Sequence, residues 1–177
     1  MNAQATETSD NVAFAASADG TRIAFEKTGT GPALIIVGGA LSHRGGGKPL
    51  ARELDAHFTV YTYDRRGRGQ SGDQKPYSVE RELEDLGAII EAAGKQAYVY
   101  GVSSGAALAL QGAAKLGPTK VPKLAIYEPP YGQDERAFNE QKQRVNQLVA
   151  VFLSALKKLH HGHGPGSPHQ FAFNPHC

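Results

Sequence analysis

The sequence is poor in the features that mark secreted, membrane-spanning and nucleic-acid-binding proteins. Its single cysteine, Cys177, excludes an internal disulfide framework. No apolar run approaches the ~20 residues of a membrane span, and the first residues have neither the basic nor the apolar segment of a secretory signal. The 19 basic and 17 acidic residues leave a net charge of +2, which gives no electrostatic reason to bind nucleic acid or an anionic membrane. These absences predict a soluble, cytoplasmic protein.

The 177 residues, 40% of them hydrophobic and 20% charged, fit one globular domain. The chain starts with two short strand patterns, 12–18 and 21–28, which are joined by the turn pair Asp19-Gly20. Further strand and helix patterns then alternate. The predicted strands are 33–37, 58–63, 98–100 with Val102, and 123–127, and the predicted helices are 50–57, 79–93 and 104–116. This order predicts an α/β fold with a mostly parallel sheet and an antiparallel N-terminal hairpin.

The composition changes towards the C-terminus. Apolar residues at helical spacing predict a long helix over 134–159. Residues 160–177 contain five of the seven histidines and no Asp, Glu, Lys or Arg, and we predict that they form a disordered tail. The tail histidines and Cys177 could bind Zn²⁺ or Ni²⁺ adventitiously, but nothing nearby would orient them, so we predict no metal site. The abrupt change also fits a shifted reading frame or a truncated gene product.

The motif with the clearest chemistry is Gly101-Val102-Ser103-Ser104-Gly105. It stands between a predicted strand and a predicted helix, where a G-x-S-x-G sequence forms a strained turn that exposes a nucleophile. The pattern predicts Ser103 as the nucleophile and the backbone N–H of Ser104 as an oxyanion donor. The alternative is a glycine-rich packing turn in which the serine has no chemical role.

A second motif, Val37-Gly38-Gly39-Ala40, ends the strand at 33–37. A glycine pair at a strand end lets the chain turn and expose backbone N–H groups. Gly39 or Ala40 could therefore supply a second oxyanion donor. A plain strand-ending turn explains the same residues.

A third segment contains a literal G-x-G-x-x-G, formed by Gly67, Gly69 and Gly72. A dinucleotide site needs these glycines to open a helix, so that the pyrophosphate meets its N-terminus. Here residues 73–76 intervene before the next helix. The sequence therefore predicts no nucleotide cofactor.

Taken together, these segments resemble the α/β-hydrolase superfamily. The resemblance covers residues 12–132 and is carried by Leu34–Gly39, by the Gly101–Gly105 motif, and by Asp64-Arg65-Arg66-Gly67-Arg68-Gly69-Gln70-Ser71 after the fourth strand. It implies a three-layer sandwich and a hydrolase that acts on a small ester-like substrate through a nucleophile, an acid and a histidine, without a cofactor. It also implies that residues 64–71 form a structural turn with surface arginines. Residues 1–133 would then form a partial hydrolase core, and the helix 134–159 would begin a cap or lid over it.

The length bears on the mechanism that the resemblance implies. Along the chain, the nucleophile comes first, then the acid and then the histidine, and the acid and the histidine follow later strands. Two further strand units would need roughly 60–80 residues, and 50 follow Tyr127. We therefore expect about six strands, no histidine loop and impaired activity, with Glu128 as a possible acid or a structural turn residue. The alternative is an inactive, truncated fragment that binds or self-associates through an exposed sheet edge.

Overall fold

The computed structural model describes residues 11–130 and the isolated positions 143, 147 and 150. Its strands are β1 (Ala13–Ala16), β2 (Arg22–Thr28), β3 (Ala33–Val37), β4 (Thr59–Tyr63), β5 (Tyr98–Val102) and β6 (Leu124–Tyr127). Its helices are α1 (Lys48–Leu54), α2 (Val79–Ala92) and α3 (Ser104–Leu116), with a short 3-10 turn at Arg44–Gly47. The predicted helix 134–159 and tail 160–177 lie outside the described residues, except that positions 143, 147 and 150 are helical.

The described strands form one mixed sheet in the order β1-β2-β4-β3-β5-β6. β1 pairs with β2, and β2 with β4, in antiparallel fashion, whereas the pairs among β4, β3, β5 and β6 are parallel. The prediction of a mostly parallel α/β sheet of about six strands with an antiparallel N-terminal hairpin is confirmed. In the hairpin, Gly20 adopts a positive φ of 82°, which glycine tolerates without a steric penalty.

The central strand β3 is buried on both faces, as its continuous apolar sequence predicts. Because side chains alternate along a strand, Ile35 and Val37 join the core beneath α2 and α3. Leu34 and Ile36 join a smaller core beneath α1. The sheet is therefore the middle layer of three, and the parallel strands end at one common edge.

Helix α2 lies within the predicted range 79–93 and is capped at both ends. The Ser78 hydroxyl accepts a hydrogen bond from the Arg81 N–H at 3.3 Å, as an N-cap does. Gly94, just beyond the helix, has a φ of 103°. The buried stripe contains Leu83 and Leu86, and it also contains two acidic residues. These are Glu82 and Asp85, 2% and 1% exposed.

Candidate functional site

Ser103 occupies a sharp turn between β5 and α3, at the edge where the parallel strands end. Its φ of 54° and ψ of −127° lie in a region that residues with a side chain rarely adopt. The Ser103 N–H donates to the Tyr127 carbonyl at 2.9 Å, and the Ser103 carbonyl accepts from the Ala106 N–H at 2.8 Å. The turn is thus held by β6 on one side and by α3 on the other, and the serine side chain is exposed.

The glycines on either side of Ser103 allow backbones to approach closely. A Cβ on Gly101 would lie 2.5 Å from the Gly105 carbonyl oxygen. A Cβ on Gly105 would lie 2.2 Å from the carbonyl oxygen of Val37 and 2.5 Å from that of Gly38. Distances this short leave room only for glycine, so the motif fixes α3 directly against the end of β3.

The structure places Gly39 against Ser103. A Cβ on Gly39 would lie 3.4 Å from Ser103 Cβ and 3.9 Å from Ser103 Oγ. Ala40, the other candidate donor, is exposed in the following turn. That turn is closed by Ser42, whose N–H and hydroxyl both donate to the Gly39 carbonyl, at 3.3 Å and 3.1 Å.

Ser104, the first residue of α3, lies where its backbone N–H is one of the unpaired donors of a helix N-terminus. Its hydroxyl accepts a hydrogen bond from Arg65 Nη1 at 3.1 Å. The strand-end loop with Gly39 and the first turn of α3 therefore both adjoin Ser103, and their role as an oxyanion site stays a prediction.

The candidate acid Glu128 is exposed and follows β6 directly, with a φ of 46°. It is adjacent in the chain to Tyr127, whose carbonyl accepts the Ser103 N–H. Burial, and after it the negative charge of Glu128, raises the pKa of Tyr100 on β5. Glu128 thus lies at the same sheet edge as Ser103, and its role as the acid stays a prediction.

The described histidines are His43 and His57. His57 precedes β4, so it lies at the opposite edge of the parallel strands from Ser103. His43 follows β3, and its Nδ1 accepts a hydrogen bond from the Gly45 N–H at 3.1 Å. Five further histidines lie outside the described residues.

The loop after β4 folds around the carboxylate of Asp64, which accepts from the backbone N–H groups of Arg44 at 2.7 Å and Gln70 at 2.9 Å. Gly69 has a φ of 53°, and a Cβ there would lie 2.2 Å from this carboxylate. The Ser71 hydroxyl donates to the Asp64 carbonyl at 2.6 Å. The Asp64 carboxylate, which also accepts from Arg44 Nη1, therefore occupies the backbone N–H groups that a phosphate would need at these glycines.

The expectation that this turn carries surface arginines is wrong. Arg65 and Arg66 are 7% and 4% exposed. Arg65 donates to Glu82 at 2.5 and 2.7 Å, and Arg66 donates to Asp85 at 2.7 and 2.6 Å. The arginines are buried because α2 presents two carboxylates to them at the edge of its apolar stripe.

The ion pairs shift the pKa of Glu82 and that of Arg66. Burial alone would raise the pKa of the Glu82 carboxyl, but the hydrogen bonds and positive charge of Arg65 outweigh it, and the pKa is lowered. The hydrogen bonds to Asp85 are the main cause that raises the pKa of Arg66. A sequence signal for these pairs exists, since Glu82 and Asp85 share the helical spacing of Leu86 and Ile89.

The described part of the chain has neither a metal-binding cluster nor a membrane-spanning helix. Within residues 11–130, no cluster of three or more His, Cys, Asp or Glu is placed to hold a metal ion. The helices of that same part are too short or too polar to cross a bilayer. An open pocket beside α1 contains Arg44 and Lys48, and both already bind Glu26, at 2.8 and 3.0 Å.

Known proteins resemble this chain in sequence. The chain is similar to the uncharacterized hydrolase YraK of Bacillus subtilis (strain 168), with 33% identity over 80% of this chain and 51% of that protein. It is also similar to an N-formylmaleamate deformylase of Pseudomonas putida, with 34% identity over 62% of this chain and 42% of that protein. The chain thus spans about half the length of these curated relatives.

A crystal structure of an alpha/beta hydrolase from Sphaerobacter thermophilus DSM 20745 superimposes with a TM-score of 0.66 and 48% identity, over 81% of this chain and 60% of that one. A family model described as "Alpha/beta hydrolase family" matches residues 34–174. The match covers most of the chain. The chain belongs to the alpha/beta hydrolase family.

Proposed function

We propose that this chain forms the nucleophile and oxyanion site of a serine hydrolase that acts on a small ester-like substrate. The observation that carries the proposal is the backbone conformation of Ser103, φ 54° and ψ −127°, at an exposed turn beside Gly39. Strain of this kind costs about 1–3 kcal/mol and persists where function requires the geometry. A packing turn alone explains the neighbouring glycines but not a strained, exposed serine.

In the proposed reaction, Ser103 Oγ attacks the substrate carbonyl carbon, and the N–H groups of Gly39 and Ser104 stabilise the oxyanion that forms. The bond between the carbonyl carbon and the leaving-group oxygen then breaks, and the Ser103 hydroxyl proton departs with the alcohol. Water attacks the acyl carbon, the bond to Ser103 Oγ breaks, and the acid is released as Oγ regains a proton. The acid and the histidine are open in this proposal, with Glu128 as a candidate acid. Because triad members act as a unit, we expect turnover well below that of a complete triad if this chain lacks a positioned histidine.

Labelling of the full chain with a fluorophosphonate probe tests the proposal. We expect the probe to modify Ser103, and we expect Ser103→Ala to abolish the labelling. Ser104→Ala is the matched control, because it removes the neighbouring hydroxyl and keeps the backbone N–H. Unlabelled folded protein, or equal labelling of Ser103→Ala, would contradict the proposal. The related deformylase makes N-formylmaleamate a substrate worth comparing with p-nitrophenyl acetate.

A second candidate function is self-association through β6. In the described sheet β6 pairs with β5 and forms the end of the sheet, and Tyr127 on it is 53% exposed. An edge strand with apolar side chains is a template for another strand. By this proposal the chain is an inactive relative of the hydrolases that acts as an oligomerising module.

Sedimentation velocity of the full chain distinguishes this candidate. We expect a concentration-dependent dimer that Ala125→Lys weakens, because a lysine on an exposed edge strand discourages pairing. The control is Phe14→Lys on β1, at the opposite end of the described sheet. A clean monomer at all concentrations, or equal weakening by both lysines, would argue against association through β6.

A further inference from the structure

The side chain of Arg65 links the two segments that face each other at Ser103. Arg65 follows β4, and its Nη1 donates to the Gly38 carbonyl at 3.3 Å and to the Ser104 hydroxyl at 3.1 Å. Gly38 belongs to the loop after β3, and Ser104 opens α3. One buried guanidinium group therefore contacts both sides of the candidate oxyanion site without itself being part of it.

The contact with Gly38 has a consequence for the next N–H group. The Gly38–Gly39 peptide is trans, and in a planar trans peptide the C=O and the following N–H point in opposite directions. The bond from Arg65 to the Gly38 carbonyl therefore directs the Gly39 N–H away from Arg65. The Gly39 carbonyl is held in turn by Ser42, so that the peptides on both sides of Gly39 are fixed.

Arg65 is itself held firmly. Its Nε and Nη2 donate to the two carboxylate oxygens of Glu82, and the Tyr77 hydroxyl donates to the same carboxylate at 2.9 Å. A bidentate arginine–carboxylate pair fixes the plane of the guanidinium as well as its position. Nη1 is left to bridge Gly38 and Ser104, a task that the single ammonium of a lysine would perform less well.

We propose that Arg65 is a positioning residue, which orients the Gly39 N–H as an oxyanion donor and holds its loop against the first turn of α3. The inference rests on the proposed function, since Ser103 is the nucleophile that this donor would serve. It assigns Glu82 the role of fixing Arg65. Arg66 makes an equally buried pair with Asp85, and its hydrogen bonds go to Asp85, Asp19 and the Arg81 carbonyl.

The neighbouring arginine supplies a matched control. A single substitution at either arginine would leave a buried carboxylate without its partner, so the variants are made as pairs. Arg65→Met/Glu82→Gln removes the bridge to Gly38 and Ser104. Arg66→Met/Asp85→Leu removes a similar buried pair between the same loop and helix α2, and it leaves the bridge intact. Arg65→Lys, with Glu82 retained, tests whether the charge alone restores the effect.

The first measurement is the second-order rate constant for labelling of Ser103 in the full chain by the fluorophosphonate probe. We expect the Arg65 pair variant to label about ten- to a hundredfold more slowly than the parent, because loss of one oxyanion donor costs about 10²–10³-fold. We expect Arg65→Lys to recover part of the rate. The Arg66 pair variant should stay within about threefold. Equal rates in the two pair variants would overturn the proposal.

The second measurement does not need a reactive serine. The Gly39 amide resonance in ¹H–¹⁵N spectra reports the orientation and hydrogen bonding of that N–H directly. We expect it to shift in the Arg65 pair variant and to stay in place in the Arg66 pair variant. If the parent chain is not labelled, the proposed function fails and this shift alone decides the role of Arg65. An unmoved Gly39 resonance in the Arg65 pair variant would overturn the proposal in either case.

Discussion

Asp85→Asn is expected to lower the free energy of unfolding by about 3–5 kcal/mol, because it leaves a buried guanidinium without its main partner. The side chains of Arg66 and Asp85 are each 1% exposed and share two hydrogen bonds. Asp19 also binds Arg66, at 3.0 Å, but it cannot replace a bidentate carboxylate. Since domains of this size are stable by about 5–15 kcal/mol, the variant should unfold at a much lower urea concentration.

A surface pair on the same helix provides the control for this prediction. Arg81 and Glu84 are joined at 2.7 Å, with side chains 42% and 28% exposed. Glu84→Gln should cost less than about 1 kcal/mol, because water already solvates and screens that pair. Arg66→Met/Asp85→Leu should recover most of the stability lost in Asp85→Asn, because apolar residues of similar volume replace a buried pair at little cost. If Asp85→Asn and Glu84→Gln lowered the free energy of unfolding equally, burial would not determine how much these pairs contribute to stability.

The part of the fold that sequence predicts well is the part set by local pattern. The run Ala33–Val37 gave the bounds of β3 directly, because five consecutive apolar residues fit a strand with two covered faces. The predicted helix 104–116 likewise has the bounds of α3. In both cases the signal lies within the element, in its side chains and in the glycines beside it.

The burial of the two arginines cannot be predicted from local sequence. Arg65 and Arg66 stand in a glycine-rich turn, and their partners are 17 and 19 residues further along. An arginine in a turn is ordinarily expected at the surface. Here the arginines are buried because α2, which carries their carboxylate partners, packs against the turn, and local sequence does not show that contact. The sequence does not distinguish Gly39 from Ala40 for the same reason, since which of them lies against the turn at Ser103 depends on how the loop after β3 packs.

Of the substitutions that add a single methyl group at the candidate site, Gly105→Ala is expected to lower the free energy of unfolding most. Its Cβ would lie 2.2 and 2.5 Å from the carbonyl oxygens of Val37 and Gly38. Those atoms are backbone at the end of the central strand, so neither can rotate aside as a side chain would. Overpacking of this kind costs about 1–3 kcal/mol and occasionally more, and we expect about 3 kcal/mol by urea unfolding.

The same methyl group should also slow the labelling of Ser103. Relief of the clash requires α3 to move away from β3, which separates the Ser104 N–H from the Gly39 N–H. A displacement near 1 Å costs about a hundredfold where geometry governs the rate. We therefore expect labelling of folded Gly105→Ala to fall by about that factor, even at temperatures where the variant remains native.

Gly87→Ala is the matched helical control for Gly105→Ala. Gly87 lies in the interior of α2, and the nearest atom to its added Cβ would be a Leu116 methyl at 3.7 Å, an ordinary contact. Because glycine weakens a helix interior by about 0.5–1 kcal/mol relative to alanine, this variant should be slightly more stable than the parent and label at an unchanged rate. If the two alanine variants had the same stability and the same labelling rate, the prediction would be wrong. The close contact between α3 and β3 would then determine neither the stability nor the geometry at Ser103.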